Sequence, residues 1–426
     1  MNPRPTNRAP ILSILQIRQF RLLWYVGSLS EMARWMELLV LSWLVLQTTD
    51  SAFQLGLVLV FNNVPRPLFS LFTGWIADRF SRRLMLIVAQ TTNVLTAIGL
   101  TALIFLDVIL PWHIFLAALI LGVSRSLEDP ARRTALLDAV GEGRLVNAMS
   151  LEVISSTAGK VVGPLIGGII IDTLGFSGSY SILLSIHAVN LVLLATQVRI
   201  PNVVPSSAAE SIWKGLGSTV RYALHSPVLL GLFYVTVIMN ATAFPVRQFI
   251  PVIGRDELHV GATMVGILLA SEGLGQLAGA GMMAATRDLR YLGRVFVLGS
   301  IGVLSMALLF SWSPWYALAL IVLTIGGVGQ AGFSTMQSTI TMLAAPPEMR
   351  GRMMGLLNVC IGAGTPLGTL EMGAIATISA QWAISGNVLA GLALVLPIML
   401  LSPLATRPVI AACRISIPEP GPSSTG

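Results

Sequence analysis

The sequence predicts an all-α membrane protein with twelve transmembrane helices arranged as two six-helix bundles. Charged residues make up only 11% of the 426 residues, whereas soluble domains average about 25%. Apolar residues make up 54%, and the mean hydropathy is +0.80. So few charges cannot cover the surface of a soluble protein of this length, so the apolar excess must face lipid.

Twelve apolar segments, bounded by turn or charged residues, are each long enough to cross a bilayer as a helix. The first six predict an N-terminal bundle in 1–198, and the second six predict a C-terminal bundle in 227–402. Between them, 199–226 predicts a cytoplasmic linker with an amphipathic helix at 212–224, and the Pro- and Ser-rich 403–426 predicts a disordered cytoplasmic tail. The segments lie at about 20–47, 52–77, 84–106, 112–137, 146–173, 177–198, 228–252, 261–285, 293–311, 315–343, 353–378 and 382–402.

The second half of the chain repeats features of the first half. Gly56 precedes Asp78 by 22 residues, and Gly266 precedes Asp288 by the same 22 residues. Pro-Trp pairs at 111–112 and 314–315 open corresponding spans. These matches indicate a duplicated six-helix unit, an organisation that is typical of transporters in which one half rocks against the other.

The charge pattern predicts the orientation of the chain. The net charge is +7, and the basic residues are almost all Arg, in loops that alternate with loops nearly free of them. The positive-inside rule then predicts that both termini are cytoplasmic. Lys occurs only at 160 and 214, which suggests a high-GC bacterial genome and hence a bacterial inner membrane. Because the Arg residues stand singly between apolar runs, we expect a lipid bilayer and not nucleic acid as the partner.

The sequence offers little for catalysis. Its two cysteines, Cys360 and Cys413, argue against a disulfide framework or a metal cluster. The sequence contains no Walker A motif, zinc-ligand spacing or Ser-His-Asp context, so we expect no enzyme activity, no cofactor and no ATP-driven step.

The loop after the second span carries a recognisable signature. Gly74, Asp78, Arg79, Arg82 and Arg83 match the G-x-x-x-D-R-x-x-R-R pattern, which resembles the signature of the major facilitator superfamily. A loop that merely followed the positive-inside rule would explain the Arg residues but not the Gly–Asp spacing. The resemblance implies that these five residues form a conformational latch.

The fifth span carries a second motif, Gly159-x-x-x-Gly163-Pro164-x-x-Gly167-Gly168. Small residues at this spacing form a smooth helix face for close packing, and Pro164 bends the helix. The motif resembles one found in proton-coupled antiporters of the same superfamily. The alternative interpretation is small-residue packing of the kind found in any membrane helix.

Three further stretches resemble the exporter branch that includes enterobactin and macrolide efflux proteins. They are Phe20-Arg-Leu-Leu-Trp24, Asp129-Pro-Ala-Arg-Arg133 and Pro347-Glu-Met-Arg-Gly-Arg352. Together, the resemblances extend from about residue 18 to 402. They imply a monomeric secondary active transporter that exports a small amphipathic molecule, such as a drug, siderophore or metabolite, by proton antiport.

Ionisable side chains within spans are costly unless they are paired or hydrated, so each is a candidate functional residue. Glu31, Arg34 and Glu37 recur every third residue and share one face of the first span. Proton coupling needs a carboxylate whose pKa rises on burial in one state and falls beside Arg in another. The candidates for proton coupling are Glu31, Glu37, Glu128 and Glu272. The candidates for lining a substrate cavity, all near mid-depth, are Arg34, Arg66, Arg125 and Lys160.

Three questions stay open at this stage. Four mid-depth cations would suit an anionic or zwitterionic substrate, unless they are neutralised by Glu31, Glu37 and Glu128. For Arg132 and Arg133, at the predicted cytoplasmic end of the fourth span, we favour membership of a fixed salt-bridge lattice over a role in lining a cavity. The alternatives to a small-molecule exporter are a lipid or lysolipid translocator on the same fold and a non-transporting membrane scaffold or sensor.

Overall fold

A computed structural model describes residues 11–65, 68, 81–141, 144–198, 212–285, 291–346 and 349–406. This part of the chain is helical and contains no strand. Seven of its helical segments are long and apolar enough to cross a membrane. Large apolar side chains such as Leu95, Phe105 and Leu400 are more than half exposed, as expected for helices that face lipid.

In the described part of the first half, five helices follow a short 3₁₀ turn at Ile11–Gln16. They are α1 (Arg18–Thr49), α2 (Ala52–Asn63), α3 (Arg82–Phe105), α4 (Pro111–Val140) and α5 (Leu145–Thr196). The Ser81 side chain caps α3 by accepting a 3.3 Å hydrogen bond from the Leu84 N–H. The predicted fifth and sixth spans are both part of α5, which is kinked at Gly175. Gly175 has φ 67°, a conformation that glycine adopts without steric strain.

The second half contains the predicted amphipathic helix and a broken span. The helices are α6 (Ile212–His225), α7 (Pro227–Thr242), α8 (Phe244–Gln248), α9 (Ile250–Asp256), α10 (Ala262–Ala285), α11 (Leu292–Ser311), α12 (Tyr316–Ala344), α13 (Arg350–Ala376) and α14 (Ala380–Leu401). The predicted seventh span is divided among α7, α8 and α9. Pro245 and Pro251 are the second residues of the second and third pieces, and proline lacks the N–H that would continue the preceding helix.

The chain divides into two compact units. Unit 1 contains the described residues of Met1–Asp50, Phe61–Ser206 and Gly261–Gly266. Unit 2 contains those of Ser51–Val60, Ser207–Val260 and Ile267–Gly426. The predicted domain limits at 198 and 227 fall near the main boundary and stay a prediction.

Unit 1 has an apolar core at the helix ends that are predicted to face the cytoplasm. Phe20 near the start of α1 packs in this core with Met85 from α3, Ala135 from α4 and Leu194 from α5. The polar side chains of the candidate site lie farther along the same helices, between about one and five turns from these core residues. The apolar core therefore fixes the helices next to the site without contributing to it.

The predicted disordered tail begins too early. Pro403–Thr406 forms a short helix, α15, in which Leu404 and Ala405 are buried. The Ser402 hydroxyl accepts a 3.2 Å hydrogen bond from the Leu404 N–H. Gly293 of α11 has no side chain and leaves room for the Leu404 backbone. Burial of Leu404 in this contact stabilises the short helix in spite of the polar composition of the tail. Residues 407–426 lie outside the described residues.

Candidate functional site

The small residues of the predicted antiporter-like motif bring α5 into direct contact with α1. A Cβ atom at Gly159 would lie 2.9 Å from the Glu31 carbonyl carbon, and one at Gly163 would lie 2.6 Å from the Met32 carbonyl oxygen. Both separations are shorter than real Cβ contacts, so only glycine permits this approach. The motif therefore packs against the stretch of α1 that carries the predicted charged stripe.

The rest of the motif continues the same packing. A Cβ atom at Gly167 would lie 3.1 Å from Met36 Cγ, and one at Gly168 would lie 2.3 Å from the Ala262 carbonyl oxygen, also in unit 1. Pro164 lies inside α5 without interrupting it. The structure thus assigns this motif a packing role, and its role in antiport stays a prediction.

A buried ion network connects α1, α4 and α5. Arg132 Nη2 lies 3.0 Å from Glu31 Oε1, and Arg132 Nη1 also forms an ion pair with Glu152. Arg34 Nη1 lies 3.3 Å from Glu31 Oε2. Gly27 leaves space for the Arg132 guanidinium, because a Cβ there would lie 2.6 Å from Arg132 Nη1. Arg132 is therefore part of a fixed lattice, as the sequence favours, and Glu152 is a member of it that sequence reasoning missed.

A second network consists of buried neutral and acidic side chains around Gln90 of α3. Gln90 Nε2 donates to Ser30 Oγ at 2.9 Å and to Glu128 Oε1 at 3.3 Å. Gln90 Oε1 lies 3.3 Å from His187 Nδ1, so the imidazole donates through that nitrogen. Asn190 Nδ2 donates to Ser30 Oγ at 3.1 Å. One amide thus connects a carboxylate to an imidazole, and no local spacing in the sequence identifies Gln90 as that connection.

The two networks border a small pocket inside unit 1, here called the acidic pocket, with a cavity volume of about 30 Å³. Its lining contains four carboxylates and two guanidinium groups, which gives a formal charge of −2 when all are ionised. Glu37 is only 6% exposed, and its Oε1 atom has no hydrogen-bond partner among the described residues. The lining residues are Ser30, Glu31, Arg34, Glu37, Asn93, Leu121, Arg125, Glu128, Asp129 and His187.

Five of the predicted site residues meet at this pocket: Glu31, Arg34, Glu37, Arg125 and Glu128. Lys160 lies outside the lining, with Nζ 5.7 Å from the centre of the Trp35 ring. Arg34 Cζ lies 5.0 Å from the same ring, so both cations contact the indole of a residue that sequence reasoning missed. Arg66 lies outside the described residues.

The described part of the predicted latch contacts its own unit. Arg82 forms an ion pair with Asp138, which joins α3 to α4. Arg83 Nη2 donates to the Ala195 carbonyl oxygen at 2.5 Å, near the C-terminal end of α5, where a cation is favourable. Gly74, Asp78 and Arg79 lie outside the described residues, and the latch function stays a prediction.

Unit 2 supplies a partner that the sequence did not reveal for Glu272. Arg247 Nε of α8 lies 3.1 Å from Glu272 Oε2 of α10, and their side chains are 13% and 15% exposed. The expectation that Glu272 has no local partner holds only along its own helix. The break between α7 and α8 places Arg247 in the middle of a span, where irregular backbone is found at ligand sites of transporters.

Hydrogen bonds between uncharged side chains accompany this ion pair. Thr369 Oγ1 donates to Gln248 Oε1 at 3.0 Å, so α13 contacts the broken segment directly beside Arg247. Thr365 Oγ1 donates to Asn240 Oδ1 at 3.3 Å one turn earlier on α13. Polar groups in unit 2 thus gather at the same break in the helix.

Helical units with buried ion networks inside apolar spans agree with the fold expected from the resemblance to the major facilitator superfamily, and solved structures of membrane transporters share this fold. A POT family transporter in complex with 5-aminolevulinic acid superposes with a TM-score of 0.73 at 12% identity, covering 92% of this chain and 97% of that one. A bacterial homologue of the human lysosomal transporter Spinster gives a TM-score of 0.67 at 13% identity, covering 97% and 98%.

Within that superfamily, the chain belongs to the transmembrane secretion effector family, whose model matches residues 9–420. The enterobactin exporter EntS of Salmonella typhi is 27% identical over 357 residues, covering 82% of this chain and 84% of the exporter. EntS of Escherichia coli O1:K1 is 26% identical over 331 residues, covering 77% and 78%. The predicted resemblance to the superfamily and to its exporter branch is confirmed. The protein is therefore a multi-pass inner-membrane transporter of a small molecule and not an enzyme.

Proposed function

We propose that the protein exports a small amphipathic molecule, such as a drug, siderophore or other metabolite, in exchange for protons. It does so as a monomer with twelve transmembrane helices in two six-helix bundles, by alternating access, with both termini in the cytoplasm. The family and the named relatives support export. The alternating Arg-rich loops support the orientation.

The observation that carries the antiport proposal is the excess of carboxylates in the acidic pocket. An ionised carboxylate inside a membrane protein is costly unless a cation or a proton neutralises it. Arg34 is already paired with Glu31, so the remaining acidic groups outnumber the cations available to them in the lining. A proton and a cationic group of the substrate would then compete for the same negative charge, and such competition produces exchange.

This charge balance changes the substrate class that the sequence suggested. Four mid-depth cations suited an anionic or zwitterionic molecule, but Lys160 lies outside the lining. Two of the three other cations, Arg34 and Arg125, line the pocket with four carboxylates. We therefore favour an amphipathic substrate that carries a positive group.

Glu37 is the carboxylate best suited to carry the exchanged proton. Glu31 is held by Arg34 and Arg132, and Glu128 accepts a hydrogen bond from Gln90. Glu37 Oε1, in contrast, is buried without a hydrogen bond among the described residues. Gain or loss of a proton at Glu37 would therefore break no bond to that oxygen, which suits a group that must titrate in every cycle.

The experiment measures substrate-induced proton movement in proteoliposomes with an enclosed pH-sensitive dye. Dyes, antibiotics and siderophores are screened with the wild type, with Glu37→Gln and with the matched control Glu257→Gln. Glu257 lies just after α9 in unit 2, accepts a hydrogen bond from Gln381 and is not one of the described residues that line the acidic pocket. We expect substrate-dependent proton movement in the wild type and in the control, and its loss in Glu37→Gln.

Two outcomes would contradict the proposal. Equal proton movement in Glu37→Gln and the wild type would remove Glu37 from the exchange. Transfer of a fluorescent lysolipid across the bilayer without proton movement for any compound would instead favour a lipid translocator.

A further inference from the structure

The amphipathic helix α6 presents a basic stripe on the side that does not pack against the protein. Thr219 and Ala223, four residues apart, are 0% and 4% exposed and form the packed face. Ser218, Arg221 and His225 recur at three- and four-residue intervals and are exposed, so they share the neighbouring face. The helix is therefore oriented so that Ser218, Arg221 and His225 face away from the packed side.

This stripe forms one wall of a groove in unit 2, here called the basic groove, with a cavity volume of about 740 Å³. The start of α13 forms the other wall. The described residues that line the groove carry two guanidinium groups and one imidazole, and none of these described residues carries a carboxylate. The lining residues are Gly217, Ser218, Arg221, Tyr222, His225, Met349 and Arg352.

Hydrogen bonds hold the groove in place. Tyr222 Oη donates to the Ala344 carbonyl oxygen at 3.5 Å, which ties α6 to the end of α12. His225 Nδ1 donates to the Arg221 carbonyl oxygen at 2.7 Å, so the imidazole is fixed against its own helix. Arg221 comes from α6 and Arg352 from α13, and these two helices also pack against each other within unit 2.

The chemistry of the lining matches a phosphate group. Guanidinium groups bind phosphate oxygens through paired, charge-assisted hydrogen bonds. Two such groups on facing walls can hold the oxygens of one phosphate from both sides. Basic pockets between membrane helices at the cytoplasmic side are typical binding sites for anionic lipid headgroups.

The surroundings favour a lipid over a free phosphate compound. Met342 and Leu343, at the end of α12 that Tyr222 contacts, are each 46% exposed. Leu224 of α6 is 59% exposed. Apolar side chains of this kind next to a basic groove can pack against acyl chains while the headgroup binds the Arg residues. The loops on this side are also the Arg-rich ones, which are predicted to face the cytoplasmic leaflet.

We propose that the basic groove binds the phosphate headgroup of an anionic membrane lipid, held chiefly by Arg221 and Arg352. The site is separate from the acidic pocket and does not depend on which molecule is transported. Bound lipid joins α6 to α13 and so fixes the segment that follows the linker between the two halves of the sequence.

The test is thermal unfolding of the purified full-length protein, monitored by intrinsic Trp fluorescence, during titration with lipid. Dioleoylphosphatidylglycerol is compared with dioleoylphosphatidylcholine, which has the same acyl chains and no net charge. We expect stabilisation by phosphatidylglycerol to half-saturate at a concentration at least about fivefold below that of phosphatidylcholine, since each Arg near the surface contributes about that factor.

The variants are Arg221→Gln, Arg352→Gln and the charge-preserving Arg221→Lys. Arg144→Gln serves as the matched control, because Arg144 is exposed on the same predicted side but lies outside the groove. Either groove variant with Gln should weaken the response to phosphatidylglycerol about fivefold. Arg221→Lys should retain most of the response, and Arg144→Gln should leave it unchanged. Unaltered unfolding of the Gln variants in phosphatidylcholine shows that they are folded.

Four results would overturn the proposal. Equal responses to the two lipids, or an equal loss in Arg144→Gln, would mean that the groove does not select anionic headgroups. Stabilisation by millimolar inorganic phosphate or glycerol phosphate that matches phosphatidylglycerol, and is lost in the groove variants, would assign the site to a free phosphate compound. If the Gln variants are unfolded in the absence of lipid, the Arg221→Lys variant decides. Loss of stabilisation by phosphatidylglycerol in a folded Arg221→Lys variant would contradict the expected role of charge.

Discussion

Replacing Arg132 with Met tests whether the buried ion network holds unit 1 together. The Arg132 side chain is 6% exposed and contacts both Glu31 and Glu152. Removing one member of a buried ion pair costs about 3–5 kcal/mol, because the other charge stays buried without a partner. Arg34 still neutralises Glu31 in the variant, so Glu152 bears most of the loss and we expect the lower part of that range.

A loss of about 3 kcal/mol corresponds to a decrease in Tm of about 6–12 °C for a unit of roughly 200 residues. The assay is thermal unfolding of the purified protein in one detergent, and Arg133→Met is the matched control. Arg133 is adjacent in sequence but exposed, so its replacement should change the free energy of unfolding by less than about 0.5 kcal/mol. Combining Arg132→Met with Glu152→Gln should recover part of the loss, because the uncompensated carboxylate is then gone.

The reasoning would be refuted by a Tm for Arg132→Met within about 2 °C of that for Arg133→Met. A combined Arg132→Met/Glu152→Gln variant that is even less stable than Arg132→Met would also contradict it. In that case packing of the Arg stem, and not its charge, would account for the loss.

Three further substitutions test the contacts between helices. Gly163→Ala should destabilise unit 1 by about 1–3 kcal/mol, since the new Cβ would lie 2.6 Å from the Met32 carbonyl oxygen. The control Gly281→Ala, with no described atom within 4 Å of the new Cβ, should be neutral or stabilising. Equal Tm values for these two variants would contradict close packing at Gly163. Arg247→Gln and Glu272→Gln should each lower the Tm, and a double-mutant cycle should give a coupling of about 0.5–3 kcal/mol; zero coupling would mean that the 3.1 Å ion pair does not contribute to stability.

Most of the fold could be predicted from the sequence because the bilayer imposes a simple rule on it. Each span needs about 20 apolar residues, and breaks in apolar character mark the loops. The helices observed at α3, α4, α11, α12 and α14 accordingly begin and end within a few residues of the predicted segments. Side-chain pairing across helices was not needed for this part of the prediction.

The departures from the predicted spans have local causes. Gly175 lets α5 turn sharply between two predicted spans. The breaks before α8 and α9 occur near Pro245 and Pro251, which hydropathy alone does not register, since proline interrupts hydrogen bonding without adding charge. The short helix at Pro403–Thr406 depends on burial of Leu404 against α11, a contact between residues more than 100 apart in sequence.

The candidate site could be predicted only in part, because helical spacing shows which residues share a face but not what lies opposite. Glu31, Arg34 and Glu37, whose spacing predicts a shared face, all line the acidic pocket, and their roles stay predictions. Glu152 and Gln90 were missed because each meets its partner from another helix.

The charged groups of unit 1 divide into two kinds according to their partners. Arg132 is held by two carboxylates, so a change in its charge would disrupt contacts with α1 and α5 at once. Glu37 has a buried oxygen without a hydrogen bond among the described residues, so its charge can change without breaking such a contact. Replacement of Arg132 should therefore reduce stability first and transport only as a consequence. Replacement of Glu37 by Gln should abolish proton exchange while changing Tm by much less than Arg132→Met does.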